Sequence, residues 1–143
     1  PYLVPGIFIE PAWKAILSNK GILPLLWERH GGHRNLLPAY FADAPGADTL
    51  TDAVSKPLFS REGENITVIR GGNITDQTDG DYGDHPRVVQ AFAPLFTKQD
   101  KHAVLGSWVI GDRAAGLGMR EDTSQITRNL SRFVPHVITA EKT

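Results

Sequence analysis

The chain has 143 residues, 41% of them hydrophobic and 22% charged, enough for a domain with its own core. Fifteen Lys and Arg against sixteen Asp and Glu leave a net charge of −1, which excludes a general polyanion-binding surface and leaves room for a local basic pocket. With no cysteine, disulfides, thiolate catalysis and cysteine-ligated zinc are excluded, and no apolar run is long enough to cross a bilayer.

In chain order, Ile7–Ile9 reads as a short strand closed by Glu10-Pro11. The opening PYLVPGIFIEP lacks a basic leader, so a cytoplasmic protein is expected, and the start without methionine suggests a piece of something longer. Trp13–Leu17 reads as one or two helical turns. Ser18 is an N-cap candidate for a second helix through Leu23, Leu26 and Trp27 to Arg29. Pro24 should kink that helix or delay its start, and Gly31-Gly32 end it. Residues 42–53 and 72–86 read as loops. Between them, ITVIRGG has the branched apolar character of a strand, with a short partner strand about Ala53, Val54 and Leu58.

Arg87–Ala93 alternates like a strand with two partly buried faces. Val104–Ile110 and Ala114–Met119 flank the hairpin signal Gly111-Asp112, and Phe133–Ile138 is a last short strand. The three tryptophans, Trp13, Trp27 and Trp108, read as packing residues. The reading is α+β: one or two early helices, then a mostly antiparallel sheet.

Several chemistries fail on spacing. No GxxxxGK[ST], GxGxxG or GxSxG is present. Asp76, Asp79, Asp81 and Asp84 lack the glycine and closing glutamate of a calcium loop. His30 and His33 have no third ligand nearby, so HGGH reads as a helix-ending turn and no metal site is assigned. The stretch KPLFSREGEN, Lys56–Asn65, stands beside the ITVIRGG strand. It reads either as a turn folding its N–H groups over an anion or as a plain hairpin. Lys20 and Arg120 are the other cations that could join Lys56 in a phosphate site.

EPAWKAILSNKGILPLLWERHGGHRNLLPAYF, KPLFSREGEN, GSWVIGDRAAGLGMRED and NLSRFVPHVI, in that order, resemble the C-terminal part of glutathionylspermidine synthase and its bacterial ligase relatives. The resemblance implies that residues 1–143 are the C-terminal piece of an ATP-grasp domain. It also implies that ATP and Mg²⁺ activate a carboxylate as an acyl phosphate for attack by an amine. The implied substrates are a glutathione-like acid and a spermidine-like amine, with no nucleic acid or membrane as partner.

By the same resemblance Lys56 reaches the phosphates and Arg61, Glu62, Gly63 and Asn65 belong to a flexible turn covering them. Lys20 is a second nucleotide-contacting lysine, Gln90 lies on the strand leading to the adenine pocket, and Arg120 faces the reacting phosphate or carboxylate as the catalytic cation. The family's Glu-x-Asn magnesium motif is not found here, so the metal ligands are expected upstream, in the rest of the same polypeptide. The alternatives are a non-catalytic nucleotide-binding or regulatory module, and a ligase for another acid and amine.

Overall fold

The computed structural model describes residues 12–139, which fall into two compact units divided between Phe92 and Ala93. The strand expected at Ile7–Ile9 lies outside the described residues.

The first unit opens with a 3-10 turn, Ala12–Lys14, running into the short helix α1 (Ala15–Ser18), followed by α2 (Ile22–His30). Ser18 ends α1 instead of capping α2. Gly21 occupies the N-cap of α2 and no side chain caps it. The chain has another use for the connecting residues: the Asn19 Oδ1 accepts from Gly21 N at 2.8 Å, and Lys20 N donates to the Leu58 carbonyl at 3.0 Å. Pro24 delays the helix, as the sequence suggests, by falling in its first turn, where a missing N–H costs no intrahelical bond. The helix ends at Gly31-Gly32, with Gly32 at φ 81°.

Its sheet has five strands: β1 (Ala39–Phe41), β2 (Ala53–Pro57), β3 (Thr67–Arg70), β4 (Asn73–Gln77) and β5 (Arg87–Ala91). They lie in the order β1-β5-β2-β3-β4, and every pair is antiparallel. β1 and β4 correct the sequence reading. β1 is too short for a period to show, and β4 occupies part of the expected 72–86 loop. Gly71 and Gly72 both take positive φ (55° and 77°), the turn geometry that matches strand twist and sends β3 straight back as β4. Residues paired across strands share a face, so Ala39, Val54, Lys56, Val68, Val88 and Gln90 line one side and Ala53, Ser55 and Pro57 the other. Ala39, Val68 and Val88 are fully buried on the first, and Ala53 on the second. α2 lies against β1, where Trp27 Nε1 donates to the Tyr40 hydroxyl at 3.3 Å.

The second unit is a four-stranded antiparallel sheet in chain order: β6 (Phe96–Lys98), β7 (Lys101–Ile110), β8 (Arg113–Asp122) and β9 (Arg132–Val134). The hairpin at Gly111-Asp112 forms as expected, with φ 54° and 64°. A second tight turn, Gln99-Asp100, takes the same conformation (φ 51° and 58°) without a glycine to announce it, which is why β6 is invisible in the sequence. Trp13 and Trp108 are 60% and 66% exposed, so their expected packing role is not what the structure shows. Both units together form the α+β architecture read from the sequence.

Gly46 generates a direct test of the first unit. A Cβ there would fall inside the Tyr40 ring, although its φ of −67° suits any residue. Gly46→Ala is expected to destabilise the fold by about 1–3 kcal/mol through overpacking alone. Urea denaturation with an unchanged midpoint would show that the ring moves aside freely.

Candidate functional site

The β2–β5 ladder places Lys56 and Gln90 on one face, diagonally across the strands, with Val54 opposite Gln90 and Val88 opposite Lys56. Lys56 Nζ donates to Gln90 Oε1 at 2.8 Å. The turn between α1 and α2 is tied to the end of β2 by the Lys20 N to Leu58 O bond, while Leu58 N donates to the Pro86 carbonyl at 2.8 Å. These bonds bring Lys20 to the same end of the sheet. Its ammonium donates to the Ser60 carbonyl at 2.7 Å and to the Ser60 hydroxyl at 2.9 Å.

The charge of one of these ammonium groups acts on the other. No carboxylate of a described residue lies within ion-pair distance of Lys20 or Lys56, although Arg70, Lys101 and Arg132 all have acidic partners. Burial pushes the Lys56 ammonium below its ordinary pKa, and the nearby Lys20 charge pushes it further. Burial alone lowers Lys20. Two ammonium groups use three of their six N–H donors on neutral oxygens, and what remains suits an anion with several oxygens.

The turn that follows carries Arg61, Glu62, Gly63 and Asn65. Glu62 and Gly63 have positive φ (57° and 75°) and Glu64 N donates to the Arg61 carbonyl at 3.0 Å, so 61–64 is itself a tight turn within the longer β2–β3 connection; Asn65 is also left-handed (φ 51°). Arg61 and Glu62 are exposed. Beyond them the turn is held. Thr78 Oγ1 donates to the Gly63 carbonyl at 2.6 Å, Asn65 Oδ1 accepts from Tyr82 N at 2.8 Å, and Arg87 Nη2 donates to the Asn65 carbonyl at 2.7 Å. Thr78 and Arg87 carry no sequence signal beyond a polar residue in a loop and one at a strand start. An apolar groove of about 370 Å³, lined by residues including Ile22, Leu25, Phe41, Leu58 and Phe59, adjoins the α1–α2 turn.

Arg120, in the second unit, stands on β8. Its Nε and Nη2 donate to the Ser131 carbonyl at 3.3 and 3.2 Å, and Nη2 also donates to the Asn129 carbonyl at 3.1 Å and to the Arg128 carbonyl. Its guanidinium carbon lies 5.2 Å from the centre of the Phe133 ring. It pairs with neither Glu121 nor Asp122; it clamps the 128–131 turn. Ser131 is 6% exposed, donates its hydroxyl to Asp122 Oδ2 and accepts from Arg128 N at 2.7 Å. The turn is therefore held from both sides.

Among the described residues no three His, Asp or Glu side chains gather in a metal-binding arrangement. The residues named above match a known family. The glutathionylspermidine synthase preATP-grasp family matches residues 3–139. The chain belongs to this family. It is 41% identical over 135 residues to a Haemophilus influenzae protein named as an acid–amine ligase, covering 90% of this chain and 34% of that protein. It is 36% identical over 129 residues to the trypanothione synthetase of Crithidia fasciculata, covering 85% of this chain and 19% of that protein. Against the bifunctional glutathionylspermidine synthetase/amidase of Escherichia coli it is 28% identical over 138 residues, covering 95% of this chain and 22% of that protein. The chain thus spans about a third or less of the length of these curated relatives. No described helix is long and apolar enough to cross a membrane.

The Ser131–Asp122 contact is testable by titration. The Ser131 hydroxyl, then the Ser124 and Thr123 N–H groups, hold the Asp122 carboxyl below its ordinary value, against a smaller opposing effect of burial. A depressed carboxylate contributes stability above its unfolded pKa of about 3.9 and loses that contribution as pH falls through the lower folded value. Ser131→Ala is expected to move the Asp122 titration upward, read by carbonyl NMR, and to shift acid unfolding to higher pH. An unmoved Asp122 titration would remove the hydroxyl as its main support.

Proposed function

We propose that this chain is the nucleotide-facing part of an ATP-dependent carboxylate–amine ligase with an ATP-grasp fold. Its site is the Lys20–Lys56–Gln90 cluster and the 61–65 turn. The observation that carries the reading is the half-buried lysine pair, bonded to neutral oxygens with no carboxylate of a described residue in ion-pair distance. Two like charges brought close at the end of a sheet cost stability unless an anion completes them. A triphosphate offers the several oxygens that such fixed donors suit. Membership of the family, whose named relatives are synthetases and an acid–amine ligase, supports the same chemistry.

In this reading ATP is a substrate. A carboxylate oxygen of the acid attacks the γ-phosphorus and ADP leaves; the amine nitrogen then attacks the acyl carbon and phosphate leaves. The lysines neutralise charge on the phosphate oxygens, and the turn about Gly63 keeps water from the acyl phosphate. Gln90 orients the Lys56 ammonium by accepting one of its protons. Arg120 is assigned to the reacting phosphate or carboxylate by family resemblance alone. Its Nε and Nη2 are engaged on the 128–131 carbonyls, so that role requires Nη1 or a release of the turn. The acid is glutathione-like and the amine spermidine-like. The resemblance puts the magnesium ligands in the rest of the polypeptide, and no step here is assigned to the metal.

In the full-length protein, Lys56→Ala is expected to weaken ATP binding by about 1.5–3 kcal/mol, roughly ten- to a hundredfold in Kd. Lys98→Ala, at an exposed lysine of β6, is the control and should change nothing. Because the free Lys56 has a lowered pKa, bound polyphosphate should raise it. Binding is then accompanied by proton uptake at alkaline pH and weakens as pH rises through the lowered value. Calorimetry in two buffers of different ionisation enthalpy reads both effects. Equal affinity in Lys56→Ala would reduce Lys56 to a structural lysine.

A further inference from the structure

The 61–66 turn is not a free flap. At one end Ser60 is held by the Lys20 ammonium. At the other, the turn is laced to the segment that follows β4. Besides the Gly63 carbonyl, Thr78 engages Ile66 twice: its Oγ1 accepts from Ile66 N at 3.0 Å, and its own N–H donates to the Ile66 carbonyl at 3.0 Å. Asn65 N donates to the Asp79 carbonyl at 3.4 Å, and Asp81 N donates to Glu64 Oε2 at 3.3 Å. The two segments approach so closely that a Cβ on Gly80 would overlap the Glu64 side chain and lie 2.7 Å from Asn65 Oδ1.

We infer that Thr78 and Asn65 are positioning residues that join the 61–66 turn and the 78–82 loop into one body, leaving only the Arg61–Glu62 tip to move by itself. The inference rests on the ATP reading for what this body covers, but the joining stands on the hydrogen bonds alone. A single hydroxyl serves both a carbonyl and an N–H of the turn, so losing it releases two backbone groups at once. The consequence for chemistry is that residues 78–82 travel with the phosphate cover, and water exclusion depends on a loop that touches no proposed ligand. Asn65 suits the join because its left-handed backbone (φ 51°) is one that asparagine tolerates better than most residues, and it aims Oδ1 at Tyr82 N.

The test uses the full-length protein and three variants. Thr78→Val keeps the shape and removes the hydroxyl. Thr78→Ser keeps the hydroxyl. Asn65→Gly removes the side chain while permitting the same backbone, and serves if Thr78→Val does not fold. Hydrogen exchange is measured without nucleotide, and ADP formed per amide formed is measured during turnover. Asn65→Gly, which loses one neutral side-chain hydrogen bond, should speed exchange about fivefold in both 61–66 and 78–82, and Thr78→Val, which loses two, about thirtyfold. They should also raise ADP per amide, because a loosened cover admits water. Thr78→Ser should restore both readouts. Faster exchange confined to 78–82 would overturn the joining. Joint loosening with an unchanged ADP-to-amide ratio would overturn the positioning role. A wild-type protein that never uses ATP would defeat the earlier reading, while the exchange data would still decide whether the segments form one body.

Discussion

Everything in the first unit depends on the antiparallel pairing of β2 with β5. That ladder buries Ala53 and Val88 completely and sets which side chains share a face. A slip of one residue between β2 and β5 would put Lys56 and Gln90 on opposite faces of the sheet. The same pairing fixes the ends of the strands, so Leu58 meets Pro86 and offers its carbonyl to Lys20. The cationic cluster is thus a by-product of sheet register plus one helix-connecting turn. No local motif could make it, because its lysines stand 36 positions apart and meet only through the fold.

The absence of an acidic partner gives that cluster its meaning. Some cations have acidic partners, as Arg70 has Asp52 at 3.2 Å and Lys101 has Glu121 at 2.7 Å, while Arg87 donates to neutral oxygens of Ser55 and Asn65. Lys56 instead meets a neutral amide and a second ammonium group. Burying charge without compensation is unfavourable, and a stable fold tolerates it most readily where a ligand supplies the compensation. Arg120 differs: its donors hold three carbonyls of one turn, and Ser131 and Asp122 hold that turn from the other side. The sequence reading takes Arg120, by resemblance, as the catalytic cation; the structure adds a second description, a clamp.

What was legible in the sequence follows from how local each cause is. Gly111-Asp112 carries its turn chemistry in its own residues, and its hairpin could be read directly; Gly71-Gly72 carries the same chemistry, but the polar residues after it read as a loop and hid β4. Gln99-Asp100 adopts the same geometry because β6 and β7 impose it, and nothing in those two residues says so. Ser18 looked like a helix cap because serine often is one, but the start of α2 is set by Gly21 N donating to Asn19 Oδ1 and by Lys20 N donating to the distant Leu58 carbonyl. Lys56, Lys20 and Gln90 could be named from family resemblance, and the structure gathers them. Thr78 and Arg87 could not, since their partners Gly63 and Asn65 lie in another segment and a lone threonine or arginine announces neither.

The central claim is that the gathered lysines face the phosphates of a nucleotide. An ATP derivative whose terminal phosphate bears a transferable acyl group tests this most directly, because a lysine amine held beside that phosphate attacks the acyl carbon and keeps the label. Burial lowers the pKa of both amines and so raises the fraction able to react. In the full-length protein, peptide mapping should find the acyl group on Lys56 or Lys20, and excess ATP should prevent the labelling. Labelling confined to other lysines, or labelling of this pair that ATP does not compete away, would contradict the account.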